Sequence, residues 1–282
     1  MSDDPAPRIA AITDALRASR KYRDLHEPTL ERIARDAAAR HPRDADAVKA
    51  AKSRLHEVFA AFGSPRALES LGARVAALPD PRDPARRPEF DAGCAAILAL
   101  HSSTAERTPI LRDAYRAIFE ITGAPRVVLD LACGLNPFAL PLAGIAPAVE
   151  WRASDVHRGS IAAIGAFLAR LGQRHVAETR DLLIDPPTER ADVALLWKSF
   201  PTLDRQRTGA GFDVVRAIRA DHVVVSFPTA SLGRREKGMR EQYRAVATDL
   251  SRALAAPMHA IEFETESFFV LDRRGAGRST SR

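Results

Sequence analysis

One stretch of this chain is well suited to cradle a nucleoside: Val127-Val-Leu-Asp-Leu-Ala-Cys-Gly-Leu-Asn-Pro137. An apolar run that opens into small Ala132 and Gly134 lets the backbone approach a ligand closely. Doubly wound folds bind their ligands at such strand ends. Pro137 suits the first turn of a following helix. The glycine pattern of a dinucleotide site is incomplete, because Ala132 and Asn136 stand at glycine positions, so the stretch alone also reads as an ordinary strand-to-helix turn. A second acid, Asp155, ends the next apolar run in Trp151-Arg-Ala-Ser-Asp-Val156. An acid roughly 20 residues past the glycine can accept hydrogen bonds from both ribose hydroxyls, or it can cap the next helix. A third, Asp181, ends a further run in Arg180-Asp-Leu-Leu183. Asp181 could take an adenine amino group with Leu182 against the ring, or be a loop acid. The three together, in order at successive strand ends, predict a nucleoside-cofactor site. No Walker lysine motif competes, and the eight histidines lack the HExxH spacing, so no metal is expected.

The elements that would position these acids change character along the chain. Residues from about 8 to 120 carry helical patterns. Leu25, Leu30, Ile33 and Ala37 recur at helical spacing, as do Val48, Leu55, Val58, Phe59 and Phe62. The four prolines between Pro79 and Pro88 argue against regular structure there. Helices are expected from Phe90 through Ala99 and from Pro109 to Ile121, the second closed by Gly123. From Pro125 onward, β-branched runs alternate with helical stretches. The expected strands are Arg126–Leu131, Val149–Ser154, His175–Arg180, Asp192–Trp197, His222–Phe227, Ala260–Glu264 and Phe268–Leu271. The expected helices are His157–Leu171, Phe212–Arg219 and Glu236–Ala255. This alternation predicts an α/β fold with a Rossmann-like sheet of seven strands, mostly parallel, and a C-terminal antiparallel hairpin. That is the architecture of class I S-adenosylmethionine-dependent methyltransferases, here preceded by an all-helical N-terminal domain.

Hydrophobic residues make up 46% of the 282 and charged residues 28%, a globular composition. No apolar run is long enough to span a membrane, and the acidic start Met1–Pro7 is unlike a signal peptide. Cys94 and Cys133 make neither a disulfide framework nor a zinc site. A reducing, cytoplasmic location is the simplest expectation. The net charge of +6 hints at a polyanionic partner. Only five of the 42 basic residues are lysine, however, so the same excess of arginine also fits a GC-rich genome.

Further motifs resemble one family. Leu129–Pro137 and His101-Ser-Ser-Thr-Ala-Glu-Arg107 are similar to segments of the 16S rRNA (guanine-N7) methyltransferases of aminoglycoside producers and resistant pathogens. So are Leu195-Leu-Trp-Lys-Ser-Phe-Pro-Thr-Leu-Asp204, Leu55-His-Glu-Val58 and the long block Ser226-Phe-Pro-Thr-Ala-Ser-Leu-Gly-Arg-Arg-Glu-Lys-Gly-Met239. The resemblance runs from about Ser19 to Leu271. It implies methyl transfer from S-adenosyl-L-methionine to N7 of the guanosine at position 1405 of 16S rRNA in the 30S subunit, by a protein expected to act as a monomer. It implies a docking domain over residues 1–107 and a methyltransferase domain over 108–272. The tail 273–282 is not covered and is expected to be disordered. By motif position, Arg107 would bind the methionine carboxylate, Ala132 and Gly134 would approach the cofactor, Asp155 would hold the ribose, and Asp181 and Leu182 the adenine.

Trp197, Lys198 and Phe200 are candidates for contact with the target base, with Phe227 as a further aromatic that also reads as core. Trp197 and Ser199-Phe200 depart from the family pattern. One basic group for rRNA is Arg20 and Lys21 with Lys49 and Lys52; a second is Arg234, Arg235 and Lys237. Plain solvated faces remain the alternative for both. Three other functions stay open: a methyltransferase for another rRNA site or a small molecule, a non-catalytic ribosome-binding protein, and a dehydrogenase, which the glycine pattern disfavours.

Overall fold

The computed structural model describes residues 5–59, 65–229 and 236–275, with nothing placed for the side chains of residues 65, 66, 236 and 237. Helices α1 (Ala6–Arg17), α2 (Glu27–Arg40) and α3 (Asp44–Phe59) come first. They are followed by α4 (Pro65–Glu69), α5 (Leu71–Ala77), α6 (Arg87–Leu98), α7 (Ser102–Arg107) and α8 (Leu111–Thr122). Strands and helices then alternate: β1 (Val127–Leu131), α9 (Leu140–Ala143), β2 (Glu150–Asp155), α10 (Arg158–Leu171), β3 (His175–Thr179) and β4 (Arg190–Trp197). Next come α11 (Phe200–Gln206), α12 (Ala210–Ala217), β5 (Arg219–Pro228), α13 (Glu236–Leu254), β6 (Met258–Glu262) and β7 (Glu266–Asp272).

The seven strands form one sheet in the order β3-β2-β1-β4-β5-β7-β6. Strands β1 to β5 pair in parallel and β7 runs antiparallel between β5 and β6. The order reverses beside β1, which makes the crevice outside β1 and β4 the switch point where such folds bind ligands. The central strands are rich in apolar residues because helices cover both faces. On β4, Val193, Leu195 and Trp197 join the core under α6, α8 and α10, while Ala194 and Leu196 join the core under α11, α12 and α13.

Helices α1 to α3 enclose a separate core built on Leu16, Leu30, Ile33, Ala47, Ala51 and Leu55. Leu71, Val75, Phe90 and Ile97, ahead of residue 107, belong to the same core as Val128, Phe167 and Val193 of the sheet and α10. Apolar helices are not told apart by sequence period when one packs on helices and the next on a sheet.

Several local expectations need adjustment. Leu25 is not on α2; it precedes the helix and bridges His157. The proline-rich segment is not wholly irregular: Pro84–Arg86 forms a 3-10 turn and Pro88 lies in the first turn of α6, where a missing N–H costs nothing. Helix α12 ends at Ala217, and Arg219 already belongs to β5. Helix α11 was not among the expected helices; Pro201 sits in its first turn. Phe62 lies outside the described residues, as does most of the tail. No helix among the described residues is long and apolar enough to cross a membrane.

Candidate functional site

The loop after β1 is braced from beneath. Asp130 is buried and accepts hydrogen bonds from Asn136 Nδ2 at 2.9 Å and Trp151 Nε1 at 3.0 Å. Burial pushes its carboxyl up to about 7, against the lowering effect of those two donors. Asn136 Nδ2 also donates to Tyr115 Oη at 2.9 Å. The apparent misfit of Asn136 at a glycine position is thus an internal strut that folds the loop. Above the strut the backbone turns left-handed at Ala132 (φ 49°) and Gly134 (φ 55°). Glycine turns this way freely, whereas Ala132 holds the shape because the surrounding loop enforces it.

Asp155 closes that loop against β2. Its Oδ2 accepts the Gly134 amide and its Oδ1 the His157 amide, both at 3.0 Å. The residue that caps α10 is His157, whose Nδ1 accepts the Ser160 amide at 3.0 Å. Asp155 is therefore not the helix cap, and its remaining lone pairs face the cleft. Asp181 follows β3 and is 3% exposed. Its Oδ1 accepts the Leu183 amide at 2.9 Å, and its Oδ2 faces Arg32 of α2. Leu182 packs in the core beneath.

The cleft is also lined by two cations, each held in ion pairs. Arg107, from the end of α7, is almost fully buried and paired with Glu266 of β7 through Nε at 3.0 Å and Nη2 at 2.8 Å. Its guanidinium lies 4.6 Å from the centre of the Trp197 ring, a cation–π contact. Lys198 is not a surface lysine: its Nζ is 2.7 Å from Glu106 and 3.4 Å from Glu266. Its backbone is left-handed (φ 53°), and its amide donates to Ser226 Oγ at 3.0 Å. Ser226 in turn donates to Glu266 Oε1 at 2.5 Å. His101 is buried beside Gly134, with Nδ1 2.8 Å from Ser103 Oγ. Burial first, then the Arg107 and Lys198 charges, push its imidazole down to about 4, so it is neutral at pH 7.

The structure brings Arg107, Ala132, Gly134, Asp155, Asp181, Leu182, Trp197 and Lys198 to one cleft. Phe200 does not reach it. Phe200 is buried against Phe212 and Phe227, with ring centres 5.7 and 5.6 Å away, and so faces the core. Phe227 is core as well. Sequence reading passed over His101, Ser103 and Glu266. His101 stands inside a quoted motif, whereas Glu266 heads an apolar strand and becomes meaningful only through its register with Pro228. Leu25, just ahead of α2, Phe59 of α3 and Leu68 of α4 also line the cleft, and nothing local in the sequence marks them.

Lys49 and Lys52 are exposed on α3. Lys21 Nζ lies 2.7 Å from His56 Nδ1 on the same helix, so these three lysines share a surface. Arg20 is tied to Glu69 at 2.6 Å. Arg234 and Arg235 lie outside the described residues, as does the side chain of Lys237.

The family model for FmrO ribosomal RNA methyltransferases matches residues 18–269. A 16S rRNA (guanine(1405)-N(7))-methyltransferase of Micromonospora echinospora is 35% identical over 270 residues, 95% of this chain and 98% of the relative. One of the same description from Frankia casuarinae is 38% identical over 84% of each chain. The crystal structure of the 16S rRNA methyltransferase RmtF in complex with S-adenosyl-L-homocysteine superposes with a TM-score of 0.79 at 30% identity, covering 97% of this chain and 99% of that one. With a class I methyltransferase sheet, a nucleoside cleft at its switch point and a match over most of its length, this chain belongs to the FmrO family of ribosomal RNA methyltransferases.

Proposed function

We propose that this chain transfers a methyl group from S-adenosylmethionine to N7 of guanosine 1405 of 16S rRNA within the 30S subunit, acting as a cytoplasmic monomer and conferring aminoglycoside resistance. One observation carries the reading: the two acids Asp155 and Asp181 and the cation Arg107 bracket one cleft, in a chain that aligns nearly end to end with a relative named for this reaction. The donor set suits the cofactor. Carboxylates at Asp155 and Asp181 match ribose hydroxyls and an adenine amino group, and Arg107 matches a carboxylate. With Nε and Nη2 committed to Glu266, Arg107 Nη1 is the nitrogen left for that carboxylate. The left-handed turn at Gly134 makes room for the cofactor's main body.

Bound there, the cofactor supplies an electrophilic methyl group on a sulfonium. Guanine N7 has a free lone pair at neutral pH, so the protein need not remove a proton. Its work is to hold the base in line and to keep water out. Trp197 lines the cleft and is held by Tyr115, Phe268 and Arg107, which fixes its ring beside the base. Lys198 steadies the base or an adjoining phosphate. Helices α1 to α3 dock on rRNA through Lys21, Lys49 and Lys52, and Arg234, Arg235 and Lys237 add contacts beyond β5. The separate core of α1–α3 supports drawing the docking unit there.

The test is primer extension on 16S rRNA from bacteria expressing the chain, after borohydride reduction and aniline cleavage at N7-methylguanosine. A new stop at guanosine 1405 is expected. Soluble protein that binds S-adenosylmethionine and yields no stop there would move the acceptor to another site.

A further inference from the structure

Asp181 is gripped from two parts of the fold. Its Oδ1 accepts the Leu183 amide at 2.9 Å from its own loop. Its Oδ2 accepts Arg32 Nε at 3.1 Å and Nη2 at 3.0 Å, from a helix 149 residues earlier in the chain. The pair is largely buried, with the Arg32 side chain 18% and the Asp181 side chain 4% exposed. Arg32 is itself anchored. Nη2 also donates to Gln206 Oε1 at 2.7 Å, and the Gln206 carbonyl accepts Arg54 of α3 at 2.7 Å. The N-terminal helices are stitched to the sheet on the other side of the cleft too, where the His26 amide donates to the Val156 carbonyl at 2.7 Å and the Arg158 amide to Asp24 at 2.8 Å.

A carboxylate offers about four lone-pair sites. Leu183 and the two Arg32 nitrogens fill three, and the rest of the group borders the cleft. A short acid held at both oxygens has one rotamer, so its acceptor is in place before a ligand arrives. Such preorganisation raises selectivity as well as affinity. Loss of the guanidinium would leave Asp181 tethered at one oxygen only.

We propose that Arg32 is a positioning residue for cofactor selection: by fixing the Asp181 carboxylate against the adenine 6-amino group, helix α2 sets how strictly the cleft requires that group. The inference rests on the assignment of Asp181 to adenine given above. It assigns to the N-terminal helices a part in choosing the cofactor, separate from docking.

The experiment is titration calorimetry with S-adenosylhomocysteine and with its analogue carrying hydrogen in place of the 6-amino group. Wild type, Arg32→Met, Arg32→Lys and Asp181→Ala are compared. Wild type should prefer the amino ligand by on the order of tenfold or more, the value of one hydrogen bond to a charged group. Arg32→Met should bring the preference toward unity by weakening S-adenosylhomocysteine far more than the analogue. Arg32→Lys, a cation without the planar fork, should recover part of it. General loosening of the cleft would weaken both ligands alike and leave the ratio untouched, which would overturn the proposal. A wild-type ratio in Arg32→Met with a collapsed ratio in Asp181→Ala refutes the role of Arg32 and spares the adenine assignment. An unchanged ratio in both, or no preference in wild type, removes the assignment and the inference with it. Should Arg32→Met fail to fold, Arg32→Lys carries the test, and a full wild-type ratio there counts against the proposal.

Discussion

Glu266 gathers two cations. Arg107 and Lys198 both reach it, and all three side chains are less than a tenth exposed. Removing one member of such a buried set strands the others, at a cost of about 3–5 kcal/mol. The left-handed Lys198 backbone is a related commitment, since a non-glycine residue holds that shape only where its surroundings enforce it. Asp155 works differently, because its two oxygens hold two loop amides and still face the cleft. Asp155→Asn keeps one acceptor for the loop but loses charge and a second acceptor. Its affinity for S-adenosylhomocysteine should fall by on the order of 100-fold, the worth of two hydrogen bonds to a charged group, while the melting temperature stays within a few degrees. Wild-type affinity by calorimetry would remove Asp155 from the cofactor site. Asp155 and Asp181 could be found in the sequence because an acid at the end of a buried run is conspicuous. Glu266 could not, because its partners come from 40 to 159 residues away.

Among the elements, the turn from α11 to α12 shows how packing limits substitution. A Cβ on Gly211 would stand 2.7 Å from the Phe200 ring, itself wedged between Phe212 and Phe227. Gly238 on α13 has nothing within 4 Å. Gly211→Ala should destabilise the protein by about 1–3 kcal/mol through overpacking. Gly238→Ala should stabilise it by about 0.5–1 kcal/mol, since alanine loses less chain entropy in a helix. Urea denaturation of both variants checks the contrast; equal midpoints would mean that Phe200 can move aside. All seven strands were legible in the sequence as short β-branched runs. Helix α11 was not, and the 3-10 turn at Pro84 was hidden by the prolines around it, because proline marks both a break and a first turn.

Across the molecule, the N-terminal helices carry two loads. Lys21, Lys49 and Lys52 share one surface, while Leu25 and Phe59 line the cofactor cleft and Arg32 grips Asp181. Reversing charge at Lys21, Lys49 and Lys52 together should weaken 30S binding and reduce its salt slope by roughly 0.7–0.9 per lost phosphate contact, with calorimetric affinity for S-adenosylhomocysteine unchanged. Unaltered 30S binding at several salt concentrations would mean that this face does not dock. Arg20 is left out of that set, because its guanidinium already has Glu69 as partner.

The seven strands, the small-residue loop after β1 and the acids at the ends of β2 and β3 were all present in local sequence. Alternation of apolar runs reports burial, and an acid at a strand end reports a site. Tertiary packing decided everything that depends on a distant partner: which aromatic faces the cleft and which the core, which arginines are free for a polyanion and which are spent in ion pairs, and where the helical unit ends. Phe200 and Trp197 stand three residues apart and look alike in sequence. Phe200 packs in the core under α12, and Trp197 in the core on the sheet's other face, where its ring also borders the cleft.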